Sequence, residues 1–359
     1  MGKRTVIPFG PQHPVLPEPI HLDLVLEDEV VVEAIPSIGF VHRGLEKLVE
    51  KKDFHEYVYV ADRICGICSF MHGMGYCMAV EQIMNIKVPE RADFLRTIWA
   101  ELSRIHSHLL WLGLLADAIG FESLFMHCWR MREYILDIFD MTTGGRVIFS
   151  VCKIGGVRKD IDSEKIKKII EILNKIDDGL KEITSVFLLD DSVSYRLTGL
   201  GVLSQADAFA LGAVGPMARA SGIITDIRTT GYGAYSHVKF NIQIEHAGDC
   251  MARVKVRIGE IFEAVEIIKQ CAEIMPEGLI ETKVTGNPNG ESFALLEQPR
   301  GEVMYYVKAN GTKFLDRMRV RTPTFANLPA LLEMVKGVEL ADIPVLILTI
   351  DPCISCTER

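Results

Sequence analysis

A chain of 359 residues, 48% hydrophobic and 24% charged, is long enough to bury one large core or two smaller ones. Its net charge of −9 comes without a continuous basic stripe, which argues against nucleic acid as a partner. Nine cysteines, an odd number behind an N-terminal segment (MGKRTVIPFGPQHP) with no apolar signal core, argue against a disulfide framework and for thiolate chemistry in a reducing cytosol.

In chain order, residues 21–35 alternate apolar and polar side chains around Glu27-Asp28-Glu29 and read as a β-hairpin. A helical stretch follows Cys65 to about residue 86. A longer helix starts after Pro89, where Phe94, Ile98, Trp99, Leu102, Ile105, Leu109, Leu112 and Ala116 recur at three- and four-residue steps. Further helices are expected over 123–141, 163–187, 206–217 and 250–275. From residue 292 the chain turns strand-like (ESFALLEQPRGEVMYYVKANG), passes one short helix at 328–335 and ends in VLILTIDPCISCTER. The apolar runs 109–116 and 343–350 fall well short of the roughly 20 residues that span a bilayer, so membrane association requires a partner. The expected fold is mostly α with a minor α+β part: a central helix bundle with a small sheet region built from both chain ends. It divides into segments 1–60, 61–285 and 286–359 of one structural unit.

Two motifs carry the chemistry: Arg63-Ile-Cys65-Gly-Ile-Cys68, with His72 four residues on, and Asp351-Pro-Cys353-Ile-Ser-Cys356. Two thiolates three residues apart at a loop-to-helix junction can chelate one metal, and helix amides favour their ionised form. Four thiolates make a soft site. A structural zinc is one reading of that spacing. Against it, the pairs lie at opposite ends of the chain, whereas zinc ribbons separate theirs by a short loop.

The two motifs resemble the R-x-C-G-x-C-x-x-x-H and D-P-C-x-x-C-x-x-H/R signatures of nickel–iron hydrogenase large subunits. GPQHP at Gly10 to Pro14 and IGFVHRGLEKL at Ile38 to Leu48 resemble the homologous quinone-site subunit of respiratory complex I. The mixture marks the energy-converting, membrane-associated hydrogenases. That resemblance implies Cys65 and Cys353 as terminal ligands of nickel, with Cys68 and Cys356 bridging it to an iron that carries carbon monoxide and cyanide.

The resemblance also implies that Glu18, fixed between Pro17 and Pro19, relays protons, and that Arg300 in Gln-Pro-Arg-Gly reaches over the open face beside Asp351, with Asp117 as a second aspartate. His72, one turn after Cys68, is expected to hydrogen-bond that sulfur. The corresponding plain readings are a solvated glutamate, a surface ion pair and a core histidine. Where many relatives end in a histidine that helps hold a second cation, this chain has Arg359, expected to form a buried ion pair with Glu46. Such chains are trimmed three residues past the last cysteine, so a longer precursor is expected.

Cys77, Cys128, Cys152, Cys250 and Cys271 lie singly in apolar patterns and leave no set for an iron–sulfur cluster. An electron partner is therefore required, and the resemblance implies which: a small subunit with a [4Fe–4S] cluster, a ferredoxin-type subunit and membrane subunits that move H+ or Na+, with ferredoxin as donor. The chain would sit peripherally on the cytoplasmic side of the membrane. A complex I-like quinone-reducing subunit is the competing reading.

Overall fold

The computed structural model describes residues 4–359; Met1 to Lys3, the start of the segment read above as lacking a signal core, lie outside the described residues. About half of the chain is helical, and three small antiparallel sheets complete it. In the strand His21–Glu27 every second side chain (Leu22, Leu24, Leu26) is buried, the period-2 pattern of a half-buried strand. It pairs with Val30–Ser37 through a turn at Asp28, whose φ is 56°, and with Arg4–Phe9 on its other edge.

The helix Glu90–Ala118 is the axis of the molecule. Its 29 residues span roughly 44 Å at 1.5 Å per residue. Acidic Glu90 and Asp93 occupy its first turn, where the helix dipole favours them. It is buried almost all round, packed between the antiparallel helix Glu122–Thr143 and the helix Cys250–Ile274, so polar residues on it must find partners inside the protein. The helix Ser163–Leu189 is instead amphipathic: Asp162 caps its N-terminus, and Ile169, Leu173, Ile176, Leu180, Ile183 and Phe187 form the buried stripe.

Two expectations need correction. The helix expected over 206–217 is two short helices, Gln205–Ala210 and Pro216–Ala220. Gly212 (φ 67°) and Gly215 (φ 66°) adopt left-handed backbone between them, which no right-handed helix continues through. The sheet region is not shared by the chain ends either: the N-terminal strands form one sheet, and Asn289–Gln298, Gly301–Asn310 and Leu315–Arg321 form another. The ends meet at the β-bridge Val30 to Glu339, through backbone hydrogen bonds of Glu29 and Val31 with residues 337–340 and of Leu45 and Phe54 with Arg359 and Lys313, and through the cysteine loops. The apolar run 343–350 is mainly the buried helix Ile343–Thr349. Among the described residues no helix is long and apolar enough to cross a membrane.

The later sheet packs on the helix Ser69–Met84 at Gly75, where a Cβ would lie 2.7–2.9 Å from Leu296 and Tyr305 side chains. Only glycine allows this approach, and it brings the sheet within reach of the residues that follow Cys68.

Candidate metal centre

Each cysteine pair opens a helix: Cys68 is the N-cap of Ser69–Met84 and Cys353 that of Ile354–Glu358. Cys65 Sγ lies 3.2 Å from Cys353 Sγ and Cys68 Sγ lies 3.5 Å from Cys356 Sγ. The sulfurs of Cys65, Cys68 and Cys356 are all within 4.8 Å of one another, and all four residues are at most 2% exposed. Arg43 ties the two loops together by donating to the carbonyls of Arg63 (3.0 Å), Ile64 (2.7 Å) and Ser355 (3.1 Å). Thr324 accepts from the N–H of Cys353, and Thr322 donates to the carbonyl of Cys356.

The thiols do not ionise alike. The hydrogen bond from Cys353 holds Cys65 well below the ordinary thiol range. For Cys68 and Cys353 the contact with Cys356 favours ionisation, but the contact with Cys65 and burial outweigh it; for Cys356 burial leads, and all three are pushed up. Four converging buried sulfurs that cannot all ionise without a counter-charge are a fitting donor set for soft metal cations.

Glu18 reaches this centre from the N-terminal loop. One carboxylate oxygen accepts from the N–H groups of Ile354 and of Ser355 (3.0 Å), while the other accepts from the Ser355 hydroxyl (2.6 Å) and stands 3.9 Å from Cys353 Sγ. Arg300, in the turn between Gln298 and Gly301, pairs with Asp351 at 2.7 Å and donates to the Asp351 carbonyl at 2.8 Å. Burial disfavours its charge, but Asp351 and the thiols of Cys353, Cys68 and Cys65 outweigh that. Arg300 Nη1 and Asp351 Oδ2 are buried and bond nothing in the protein, so both remain available to a group held by the cysteines. Asp351 adopts left-handed backbone (φ 56°), a region that aspartate tolerates better than most residues.

The structure places His72 differently from the expectation. Its Nε2 lies 3.2 Å from the sulfur of Cys356, and its Nδ1 lies 2.6 Å from the Tyr305 hydroxyl. Cys68 caps the helix with non-helical backbone (φ −101°, ψ 30°), so same-face spacing does not carry over to its side chain. Burial lowers His72 to about 4, leaving a neutral ring. With Tyr305 donating to Nδ1, the Nε2–H points to sulfur. Asp117 is exposed at the C-terminal end of Glu90–Ala118 and does not join the centre. Tyr305 and Arg43 were missed as site residues. Inward alternation in the strand marks Tyr305, whereas Arg43 lies in HRGLEKL, read only as a resemblance.

Arg359 donates to Glu46 at 2.8 Å, but the pair is half-buried and shared: Arg319 (2.7 Å) and the N–H of Val320 (2.9 Å) also bond Glu46. Burial would raise the Glu46 carboxyl, yet Arg359, Val320 and Arg319 hold it below its ordinary value. Its contribution is therefore present above the unfolded carboxyl range near about 4.3 and lost as pH falls below it. Replacing Glu46 with Gln should cost about 1–2 kcal/mol, less than the roughly 3–5 of a fully buried pair because water screens this one. Thermal unfolding at neutral and acid pH checks this, with the gap between variant and wild type closing in acid.

Profile comparison matches residues 118–286 and 279–359 to "Respiratory-chain NADH dehydrogenase, 49 Kd subunit" and residues 43–117 to "Nickel-dependent hydrogenase". The chain is 39% identical to the carbon monoxide-induced hydrogenase of Rhodospirillum rubrum, covering 98% of this chain and 99% of the relative. It is 37% identical to a subunit of the F(420)H(2) dehydrogenase of Methanosarcina mazei, covering 100% and 98%. Among solved structures, a chain of the membrane-bound sulfane sulfur reductase, an archaeal respiratory membrane complex, superposes with a TM-score of 0.94 at 30% identity, covering 99% of this chain and 98% of that one. Matched along its whole length, the chain belongs to the family that unites the complex I 49 kDa subunit with the nickel–iron hydrogenase large subunit.

Proposed function

We propose that this chain is the hydrogen-activating subunit of an energy-converting nickel–iron hydrogenase. The observation that carries the reading is the convergence of four buried cysteine sulfurs, since a quinone-reducing subunit has no use for a tetrathiolate pocket. Cys65, Cys68, Cys353 and Cys356 would hold a nickel–iron centre whose iron carries carbon monoxide and cyanide. Such a centre supplies the two-electron chemistry that interconverts H2 with protons and electrons.

The chain's own groups supply the rest. Glu18 is the proton carrier: its oxygen faces Cys353 from a loop that leads outward, and its other contacts fix its direction. Arg300 adds a fixed positive charge at the open side, and Asp351 orients it. His72 donates to Cys356, lowering the sulfur's electron density and fixing its direction. Glu46 and Arg359 take the place of a second cation site.

The chain works as a peripheral subunit on the cytoplasmic side of a membrane complex. Its electrons come from reduced ferredoxin through a small [4Fe–4S] subunit and a ferredoxin-type subunit, and membrane subunits move the coupled ion. Elemental analysis of the purified complex tests the reading: nickel and iron bound to this chain, with infrared bands of bound carbon monoxide and cyanide, are expected. Zinc alone would assign a structural site, and an intact tetrad without metal would favour the quinone-reducing alternative that the 49 kDa relationship suggests.

A further inference from the structure

Behind Arg300 lies a buried ionic network that the centre itself does not use. Arg104, Arg219 and Arg228 bond four carboxylates: Glu101, Asp226, Glu260 and Glu297. All seven residues are nine-tenths or more buried. Glu260 holds Arg219 through two contacts (2.9 and 2.7 Å) and takes His108 at 2.9 Å. Glu101 takes Arg104, Arg228 and the Tyr235 hydroxyl, and Asp226 takes Arg228 in bidentate fashion. Glu297 is the least provided: one N–H of Arg219 at 2.9 Å and the Ile227 N–H at 3.1 Å. Asp226 and Glu297 line an open cavity of about 310 Å³ with Glu302 and Arg321, which pair at 2.8 Å.

The same elements grip the turn that carries Arg300. Gly215 caps the short helix bearing Arg219, and a Cβ there would lie 2.3 Å from Gly301 Cα and 2.4 Å from the Arg300 carbonyl. Backbone therefore packs on backbone at this point. Arg104 donates to the carbonyls of Glu297 (2.9 Å) and Gln298 (3.3 Å), the two residues that lead into the turn.

We propose that Glu297 is a titrating positioning residue for Arg300, exchanging a proton with solvent through this cavity and thereby setting how firmly the turn is clamped. The role of Arg300 rests on the hydrogenase reading; the titration does not. The titratable and charged groups that face Glu297 are Arg219 from its helix, Arg228 from the turn Ile227–Thr230 with Asp226 capping it, Tyr232, whose hydroxyl accepts from the Glu297 N–H, and Arg104 from the axial helix, with Glu302 and Arg321 across the cavity. Arg257, which faces Glu260 from the Asp351 side, forms no ion pair among the described residues, and burial keeps His108 neutral at about 4.

With three guanidiniums bonding four carboxylates, one acid is left over. Burial pushes Glu297 up to about 7 against the pull of Arg219, with Asp226 adding to the rise. For Glu260, Glu101 and Asp226 burial acts in the same sense, but their arginine partners outweigh it and hold them low. Ionised, Glu297 makes a full ion pair with Arg219; protonated, its carbonyl oxygen still accepts from the guanidinium but without the attraction between opposite charges, and the clamp loosens.

The test uses the purified complex, titrated across neutral pH and followed by infrared difference spectroscopy with isotope-labelled glutamate. It also follows H+/D2 exchange and nickel and iron content. The expected result is a protonated-carboxyl band that disappears near pH 7 and is absent in Glu297→Gln. A step in exchange at the same pH should be lost in that variant and displaced in Glu297→Asp, with metal content unchanged in both.

A wild-type complex with no glutamate titrating near neutrality overturns the proposal, as does an unaltered step in metal-loaded Glu297→Gln. Should Glu297→Gln not fold, the wild-type band decides the titration and Glu297→Asp the coupling. Loss of nickel from every form, wild type included, would instead sink the hydrogenase reading, and the band would still report on Glu297.

Discussion

Replacing Cys65 with Ser is expected to yield a folded chain that retains no nickel and has no H2 turnover above background. Serine is nearly isosteric, so packing is kept, but its hydroxyl is a harder donor and far less acidic than a thiol. Cys65 is also the sulfur on which the tetrad concentrates its first negative charge, held down by Cys353. On the proposed reading, losing it removes both a ligand and the cheapest ionisation of the four. The loss in metal affinity should exceed the roughly 10–100-fold that follows removal of a group merely bonded to a ligand. Elemental analysis with an H2 evolution assay decides it: wild-type nickel and turnover in this variant would end the proposed function.

Glu18→Gln should do the opposite, keeping the metals and losing the rate. The amide oxygen of glutamine can still accept from the N–H groups of Ile354 and Ser355, and its NH2 can turn to the Ser355 hydroxyl. The segment Ile354–Glu358 therefore stays in place. What is lost is the ionisable carboxyl group, whose oxygen stands 3.9 Å from Cys353 Sγ. A positioned acid or base commonly contributes about 10²–10⁴-fold, so H2 evolution and H+/D2 exchange should fall by roughly 10²-fold or more at unchanged nickel content. A variant that exchanges at the wild-type rate would remove Glu18 from the route, and one that loses nickel would make it a structural anchor instead.

The cysteine pairs were legible in the sequence because thiols at fixed spacing before a helix form a short, constrained segment, whereas Glu18, fixed between two prolines, was reached only through the family resemblance, and the structure sets it 3.9 Å from Cys353 Sγ. The axial helix was legible for the same kind of reason, since its apolar residues repeat at helical steps over nearly its whole length. What the repeat concealed was its other content. Glu101, Arg104 and His108 occupy the same helix and are completely buried, because a helix surrounded on all sides buries its polar positions too and their partners lie far along the chain. Apart from the contacts with Thr225 and Asp226, Arg219, Arg228, Glu260 and Glu297 lie 41–193 residues from the residues they bond. No periodicity encodes contacts at that separation. The misjudged target of His72 has a smaller cause, a cap residue treated as if it belonged to the helix.

The halves of the cysteine tetrad are separated by 288 positions. On a ribosome adding about 5–20 residues per second, the segment with Cys353 is made roughly 15–60 s after the segment with Cys65. During that interval the first two thiols face the cell without their counterparts, and a two-sulfur half-site holds metal weakly and invites whichever ion is abundant. On the proposed reading, loading must therefore wait for the second pair, and correct occupancy becomes a matter of timing and delivery as well as affinity. Nascent chains stalled before residue 353 should accordingly pull down no nickel, whereas released full-length chains should acquire it, which makes the order of events measurable in a translation extract.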